Sequence, residues 1–344
     1  MFFQGCYTAL ITPMKKNFEI DYKCLEKLVK YQVECGVEGI LAMGTTGESA
    51  TTSWEDHKKA IEEVHKYCGG KVVTIAGTGS NSTAESIDGT TFASKIGIGA
   101  ALLVDPYYNG PSSLEIRKEY VEPIARRFPK MQFIPYIIPG RTGCQLLPQD
   151  LAILHSTLKN LNAVKEATGD LKNMALTRKL CGDDFSILSG DDDKTYEMMA
   201  SPEIKANGVI SVVSNIIPAA VQEMVETYIS GRIQRASEVA KALDPLFKTV
   251  TVRTEEATPY GPRLVRARNP LPCKTLMNIL GMPSGPCRQP LGKMTEAGLK
   301  ILLENARQVY ENNKWVFEPV ESFFEVNLKE RLYKEKYWKG LCYV

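Results

Sequence analysis

No run of 18 apolar residues occurs anywhere in the 344-residue chain, so it offers no stretch long enough to cross a bilayer as a helix. Residues 1–5 lack a basic start and a long apolar core, and Pro13 interrupts the segment early; a secretory leader is not expected. An excess of charge of one sign is also missing. Forty-two Lys and Arg against 40 Asp and Glu leave a net charge of +2, which gives no electrostatic reason to bind nucleic acid or an anionic membrane. The nine cysteines contain no CxxC pair and are odd in number. Structural zinc sites need clustered ligands, so neither a metal nor a cofactor is expected. With reduced thiols, the expected compartment is the cytoplasm. Internal repeats and low-complexity segments are absent too.

What remains is an ordinary globular composition, 44% hydrophobic and 24% charged, with enough chain for a large core. Short apolar runs alternate with amphipathic segments. Strands are expected near residues 7–11, 40–43, 71–76, 100–104, 132–138, 162–165, 185–189 and 208–213. Helices are expected between them, for example over 21–34, where Leu25, Leu28, Val29 and Val33 share one face. Ser82 and Glu85 have capping-box spacing at the start of another. A helix is expected over 114–128. Nearly continuous apolar strands suit burial on both faces, hence a parallel sheet. Eight such units predict an α/β fold, a (β/α)8 TIM barrel, with a doubly wound open sheet as the alternative. The division expected is a barrel over 1–231, a helical C-terminal subdomain over 232–312 and an aromatic-rich extension over 313–344. Residues 254–268 read as an exposed charged loop. Eight aromatics in the extension, among them Trp315, Phe317, Phe323 and Phe324, predict that it packs against the barrel or a neighbour.

In a parallel barrel the chemistry sits past the strand ends. Lys165 lies in the sixth strand. A lysine held in apolar surroundings loses its charge more easily and becomes a nucleophile toward carbonyls; the other reading is a strand-end lysine that reaches water or an acid. The second strand ends in Gly44-Thr45-Thr46-Gly47-Glu48-Ser49, whose hydroxyls and bare N–H groups suit a carboxylate, or simply a tight turn. The fifth ends in Tyr136-Ile137-Ile138-Pro139-Gly140-Arg141-Thr142-Gly143. A tyrosine there can move protons, and an arginine in such a loop suits a carboxylate or a surface ion pair. Asp105-Pro106-Tyr107-Tyr108 follows the fourth strand. Ser189-Gly190-Asp191-Asp192-Asp193 follows the seventh, with the aspartates read as capping their own helix and Gly190 as giving backbone access. One lysine, a tyrosine, paired threonines and an arginine suit a 2-oxo acid held as an imine.

Gly44 to Glu48, Tyr136-x-x-Pro-x-Arg-Thr-Gly143, Lys165-Glu-Ala-Thr-Gly169, Ser189-Gly-Asp-Asp192 and Gly208-Val-Ile-Ser211 together resemble the dihydrodipicolinate synthase/N-acetylneuraminate lyase family of class I, Schiff-base-forming aldolases. The resemblance covers roughly residues 5–305. It implies a lyase of lysine (diaminopimelate) biosynthesis that condenses pyruvate with L-aspartate 4-semialdehyde to give 4-hydroxy-tetrahydrodipicolinate. Lys165 would form the imine and Tyr136 would pass protons. Thr45 and Tyr108 would complete a relay, Tyr108 from a neighbouring subunit of a homo-oligomer, a dimer or a homotetramer. Thr46, Gly190 and Ile210 would meet pyruvate, and Arg141 the carboxylate of the second substrate. Ser49, Ala50, Trp54, His57, Asn81, Glu85 and Tyr107 match positions at which feedback-inhibited members bind L-lysine. Ile137 and Gly140 depart from the residues common in synthases. Two alternatives stand beside this reading: a pyruvate-dependent aldolase acting on a sugar acid or hydroxy-oxo acid, and a non-catalytic metabolite-binding barrel.

Overall fold

The apolar runs pair with one another in sequence order. In the computed structural model, which describes residues 2–343, they form β1 (Gly5–Ala9), β2 (Gly39–Ala42), β3 (Val73–Gly77), β4 (Ala100–Val104), β5 (Gln132–Ile137), β6 (Ala163–Glu166), β7 (Ser186–Ser189) and β8 (Gly208–Ser211). All neighbours are parallel, and β8 returns to β1, so the barrel is closed. Closure corrects the open-sheet alternative and satisfies every strand edge.

Side chains alternate between two cores, as the period of two in a strand requires. Tyr7, Leu41, Ile75, Leu102, Ile134, Tyr136, Ala163, Leu188 and Ile210 belong to a cluster inside the barrel. Their neighbours Cys6, Ile40, Ala101, Phe133, Ile137, Val164, Ile187 and Val209 belong to the larger core between strands and helices. The outer helices begin where the sequence supplies caps. Asp21 accepts from Cys24 N, Ser53 from Asp56 N, and Asp170 from Lys172 N and Asn173 N, each satisfying N–H groups that a first turn leaves bare.

Three expectations need correction. Residues 254–268 lie in an antiparallel hairpin, β9 (Thr251–Glu256) and β10 (Arg263–Arg268), rather than a loop. Its inner residue Val252 is buried, and alternation of small apolar and charged residues supplied a strand signal that the Pro-Gly tip obscured. The capping box at Ser82 is only half formed. Ser82 receives Glu85 N, but the Glu85 carboxylate takes the Ser80 hydroxyl instead. The helix expected over 114–128 does form, with a π stretch, Ile116–Val121, between short α segments. Asp192 does not cap its own helix, for a reason given with the site below.

After the helix Pro218–Ile229, the helices Ile233–Phe247, Leu271–Leu280 and Glu296–Asn312 follow. The terminal aromatics then fold back. Phe323 and Phe324 stack on Tyr31 of the first barrel helix at 5.1 and 5.0 Å, and Arg331 donates to the carbonyl oxygens of Ile279 and Asn278. The extension therefore packs on the barrel and on the helix Leu271–Leu280.

Candidate active site

Register decides where Lys165 points. Ala163 faces the barrel interior, so Lys165, two residues on, does too. It pairs with Tyr136 on β5 and Leu188 on β7. Its amine stands 4.2 Å from the centre of the Tyr136 ring, and the residue is 4% exposed. Burial lowers its pKa to about 8; Asp192 and Asp191 pull it back up, and Arg141 lowers it further. The amine is therefore partly neutral near neutral pH, the form that attacks a carbonyl.

Tyr136 is buried beside it, and burial raises its pKa, an effect that Arg141 and the Thr45 hydroxyl oppose. Such a phenol stays protonated until a base or a developing charge takes the proton. Thr46 is buried, and its hydroxyl accepts from Asn269 Nδ2 at 2.9 Å. Arg141 sits in the short helix Pro139–Thr142 and donates through Nη2 to the Asn269 carbonyl at 3.2 Å. Ile210 is fully buried inside the barrel. Gly190 has a steric role: a Cβ there would lie 2.8 Å from Ala167 Cβ and 3.2 Å from Lys165 Cε. Only glycine leaves the lysine stem its path. Lys165, Tyr136, Thr45, Thr46, Arg141, Gly190 and Ile210 thus meet at one end of the barrel.

Asp192 stands beneath this site. Its carboxylate accepts from the Ser211 hydroxyl and from Val212 N and Val213 N. It caps the 3-10 turn Val213–Asn215 after β8 rather than its own helix, because the closed barrel brings that turn alongside. Asp191 is half-buried, and desolvation and Asp193 raise its pKa to about 6.

Tyr108 does not join the group. It is 93% exposed, at a positive φ of 82°, and points away from its own site. The expected lysine-site residues fall into three groups. Trp54 stacks on His57 at 4.7 Å. His57 is buried, its Nε2 lies 2.7 Å from the Gly77 carbonyl, and burial lowers it to about 4. Asn81 accepts from Tyr107 N at 2.9 Å, and Glu85 raises the Tyr107 pKa after burial itself. Ser49 and Ala50 lie in a 3-10 turn just after the Thr45–Thr46 loop.

Sequence reasoning missed Asn269. It holds Thr46 with its side chain and Arg141 with its backbone, and its Oδ1 is buried without a partner. Its partners lie 223 and 128 residues away, so no local pattern signals it. Glu48 and Lys274 were missed as a pair for the same reason. Lys274 is 1% exposed and donates to Glu48 Oε1 at 2.6 Å, while Glu48 Oε2 receives Arg288 N. This pair anchors the loop that carries both threonines.

Among the described residues no group of three or more His, Cys, Asp or Glu is placed to hold a metal ion, and no helix is long and apolar enough to cross a membrane.

Known proteins resemble this chain in sequence and in fold. The model of the dihydrodipicolinate synthetase family matches residues 2–308. A 4-hydroxy-tetrahydrodipicolinate synthase from Methanococcus aeolicus is 39% identical over 307 residues, 89% of this chain and 99% of that protein. The solved dihydrodipicolinate synthase of Cyanidioschyzon merolae, with lysine bound, superposes with a TM-score of 0.81 at 33% identity, covering 90% of this chain and 98% of that one. The chloride-inhibited synthase of Acinetobacter baumannii, complexed with pyruvate, gives 0.80 at 32% identity, covering 89% and 98%. The family model over residues 2–308, with a relative that matches 89% of the chain in sequence, makes this chain a member of the dihydrodipicolinate synthetase family.

Proposed function

We propose that this chain is a lyase that condenses pyruvate with L-aspartate 4-semialdehyde to give 4-hydroxy-tetrahydrodipicolinate, a step of lysine (diaminopimelate) biosynthesis. The observation that carries the reading is Lys165, a buried amine of lowered pKa facing Tyr136 across paired strands. Relatives named for this synthase activity support the choice of substrates.

The neutral Lys165 amine adds to the keto carbon of pyruvate. Tyr136 gives a proton to the departing hydroxyl, water leaves, and an imine remains. The pyruvate carboxylate takes the Thr46 side of the pocket, with Ile210 and Gly190 forming its walls. Loss of a methyl proton gives the enamine. Its carbon attacks the aldehyde of the semialdehyde, whose carboxylate Arg141 receives. The amine of the semialdehyde then displaces Lys165 and closes the ring. Thr45 relays protons with Tyr136. The outward Tyr108 suits a partner subunit's relay and so a homo-oligomer. L-lysine is the proposed inhibitor at Ser49, Ala50, Trp54, His57, Asn81, Glu85 and Tyr107, and the cytoplasm is the proposed compartment.

The test is borohydride reduction in the presence of pyruvate, followed by mass mapping. An adduct on Lys165 is expected; its absence sinks the reading. Steady-state turnover of pyruvate with the semialdehyde, set against cleavage of 2-keto-3-deoxygluconate, fixes the partner aldehyde. The Arg141→Ala variant is expected to raise KM for the semialdehyde, and an unchanged KM counts against its role. Repeating the assay with L-lysine tests the inhibitor site.

A further inference from the structure

The mechanism leaves the arginines of the β9–β10 hairpin unused. Register places Arg266 directly opposite Arg253, and Arg268 opposite Thr251. Cross-strand partners and alternate residues share a face, so Arg253, Arg266 and Arg268 lie on one side, with Glu255 and Leu264 nearer the tip of that side. The other side carries Val252, which is buried, and Thr254, whose hydroxyl lies 3.1 Å from that of Thr295 at the head of the helix Glu296–Asn312. The arginine side therefore turns away from that helix. Arg268 Nη2 donates to the Gly140 carbonyl at 3.1 Å, and Arg141 Nη2 donates to the Asn269 carbonyl at 3.2 Å. Hairpin and substrate loop are laced together, each guanidinium using one donor on the other's backbone.

Arg266 is close enough to Arg141 to act on its charge, and Arg253 acts likewise on Arg268. None of these four makes an ion pair among the described residues. The paired arginines are others: Arg117, Arg126, Arg235 and Arg288. Like charges directly opposite on two strands are destabilising. Arg253 and Arg266 are exposed and Arg268 is half-buried, so their guanidiniums are open to an entering anion.

We propose that Arg266 and Arg268, backed by Arg253, extend the Arg141 site into a cationic wall that recognises the carboxylate of the second substrate. The proposal rests on the synthase reading and deepens it. The hairpin is then a specificity element: it favours an acceptor aldehyde that carries a carboxylate over an uncharged hydroxy-aldehyde. Planar guanidiniums with free donors can meet that carboxylate directly, and their combined field draws it in.

The test compares Arg266→Gln, Arg268→Gln and the double variant with Arg263→Gln, which removes the same charge from the opposite face of the hairpin. KM for each substrate is measured at low and high salt, with borohydride trapping of pyruvate as the check on folding. Arg268→Gln is expected to raise KM for the semialdehyde about tenfold, the scale of one charged hydrogen bond. In the double variant the salt dependence of kcat/KM for the semialdehyde flattens. Trapping and KM for pyruvate hold, and Arg263→Gln behaves as the parent. A purely structural role for Arg268 would raise KM without moving the salt dependence. Arg266, whose side chain makes no hydrogen bond among the described residues, carries the test alone if Arg268→Gln fails to trap pyruvate. A double variant with parental KM and parental salt dependence overturns the proposal while the synthase reading stands. A parent enzyme that traps pyruvate yet does not turn over the semialdehyde removes both, a pattern distinct from the first.

Discussion

Two lysines are buried in this molecule, and they meet opposite fates. Lys274 is 1% exposed and Lys165 is 4% exposed. Lys274 finds the Thr12 carbonyl at 2.9 Å, the Pro286 carbonyl at 2.7 Å and the Glu48 carboxylate at 2.6 Å. An ammonium has three donors, and all are used. Lys165 faces an aromatic ring and an apolar barrel interior, with the nearest carboxylates acting only at longer range. Burial is common to both, so burial alone does not make a nucleophile. The lack of acceptors does, because nothing then compensates the desolvated charge. The two also cooperate. Lys274 fixes the loop from Gly44 to Ser49 through Glu48, and that loop brings Thr45 and Thr46 to the amine of Lys165.

The largest effect that would break this contrast is expected at Lys165. Lys165→Met removes turnover and the borohydride adduct, read by steady-state assay and mass spectrometry, while the fold persists. Turnover that survives would show that the two lysines do not differ in kind.

Lys274→Met should do the reverse. It strands Glu48 as a buried unpaired carboxylate, at about 3–5 kcal/mol of stability, measured by urea unfolding. Glu48→Gln in the same chain should return part of that loss, since the two residues are coupled. The pyruvate adduct should still form on Lys165. A Lys274→Met protein of parental stability would contradict the structural role.

A smaller effect separates the lysines by pH. The rate of imine trapping should rise with pH and level off above about 8, where Lys165 becomes neutral. Stability has a related sign. The folded pKa lies below the unfolded one, so the unfolded chain holds the proton between about 8 and about 10.4. The penalty of the buried charge is complete below that window and fades as pH rises through it. Lys165→Met should therefore be more stable than the parent at low pH, with the gap in Tm narrowing in alkali. A constant gap would mean that Lys165 is not desolvated.

The smallest effect concerns Asp192, which raises the Lys165 pKa from within the barrel. Asp192→Asn should move the trapping midpoint to lower pH, provided that the turn after β8 keeps its capping bonds. A midpoint that moves upward would reverse the assigned electrostatics.

Much of the fold was legible because strand and helix periods are local. The β4 bounds, 100–104, fall where the apolar pattern places them. The site was legible only in its motifs. The lysine, tyrosine, threonines and arginine lie at strand ends that a barrel brings together, and the family resemblance named them as a set. Asn269, the Glu48–Lys274 pair and the hairpin arginines left no such trace. The partners of Asn269 and of Lys274 are distant in sequence, 226 residues in the case of Lys274 and Glu48, and the hairpin arginines signal a strand but not the loop it faces.

The sequence by itself determined the alternation of eight buried strands with amphipathic helices, the family, and the residue types at each strand end. Tertiary structure decided what those residues can do. Strand parity turned Lys165 into the barrel, register set it against Tyr136, and closure aligned Asp192 with the turn after β8. The reason is physical: a side chain's chemistry follows from its desolvation and from the partners within reach, and both are set by contacts between segments far apart in the chain.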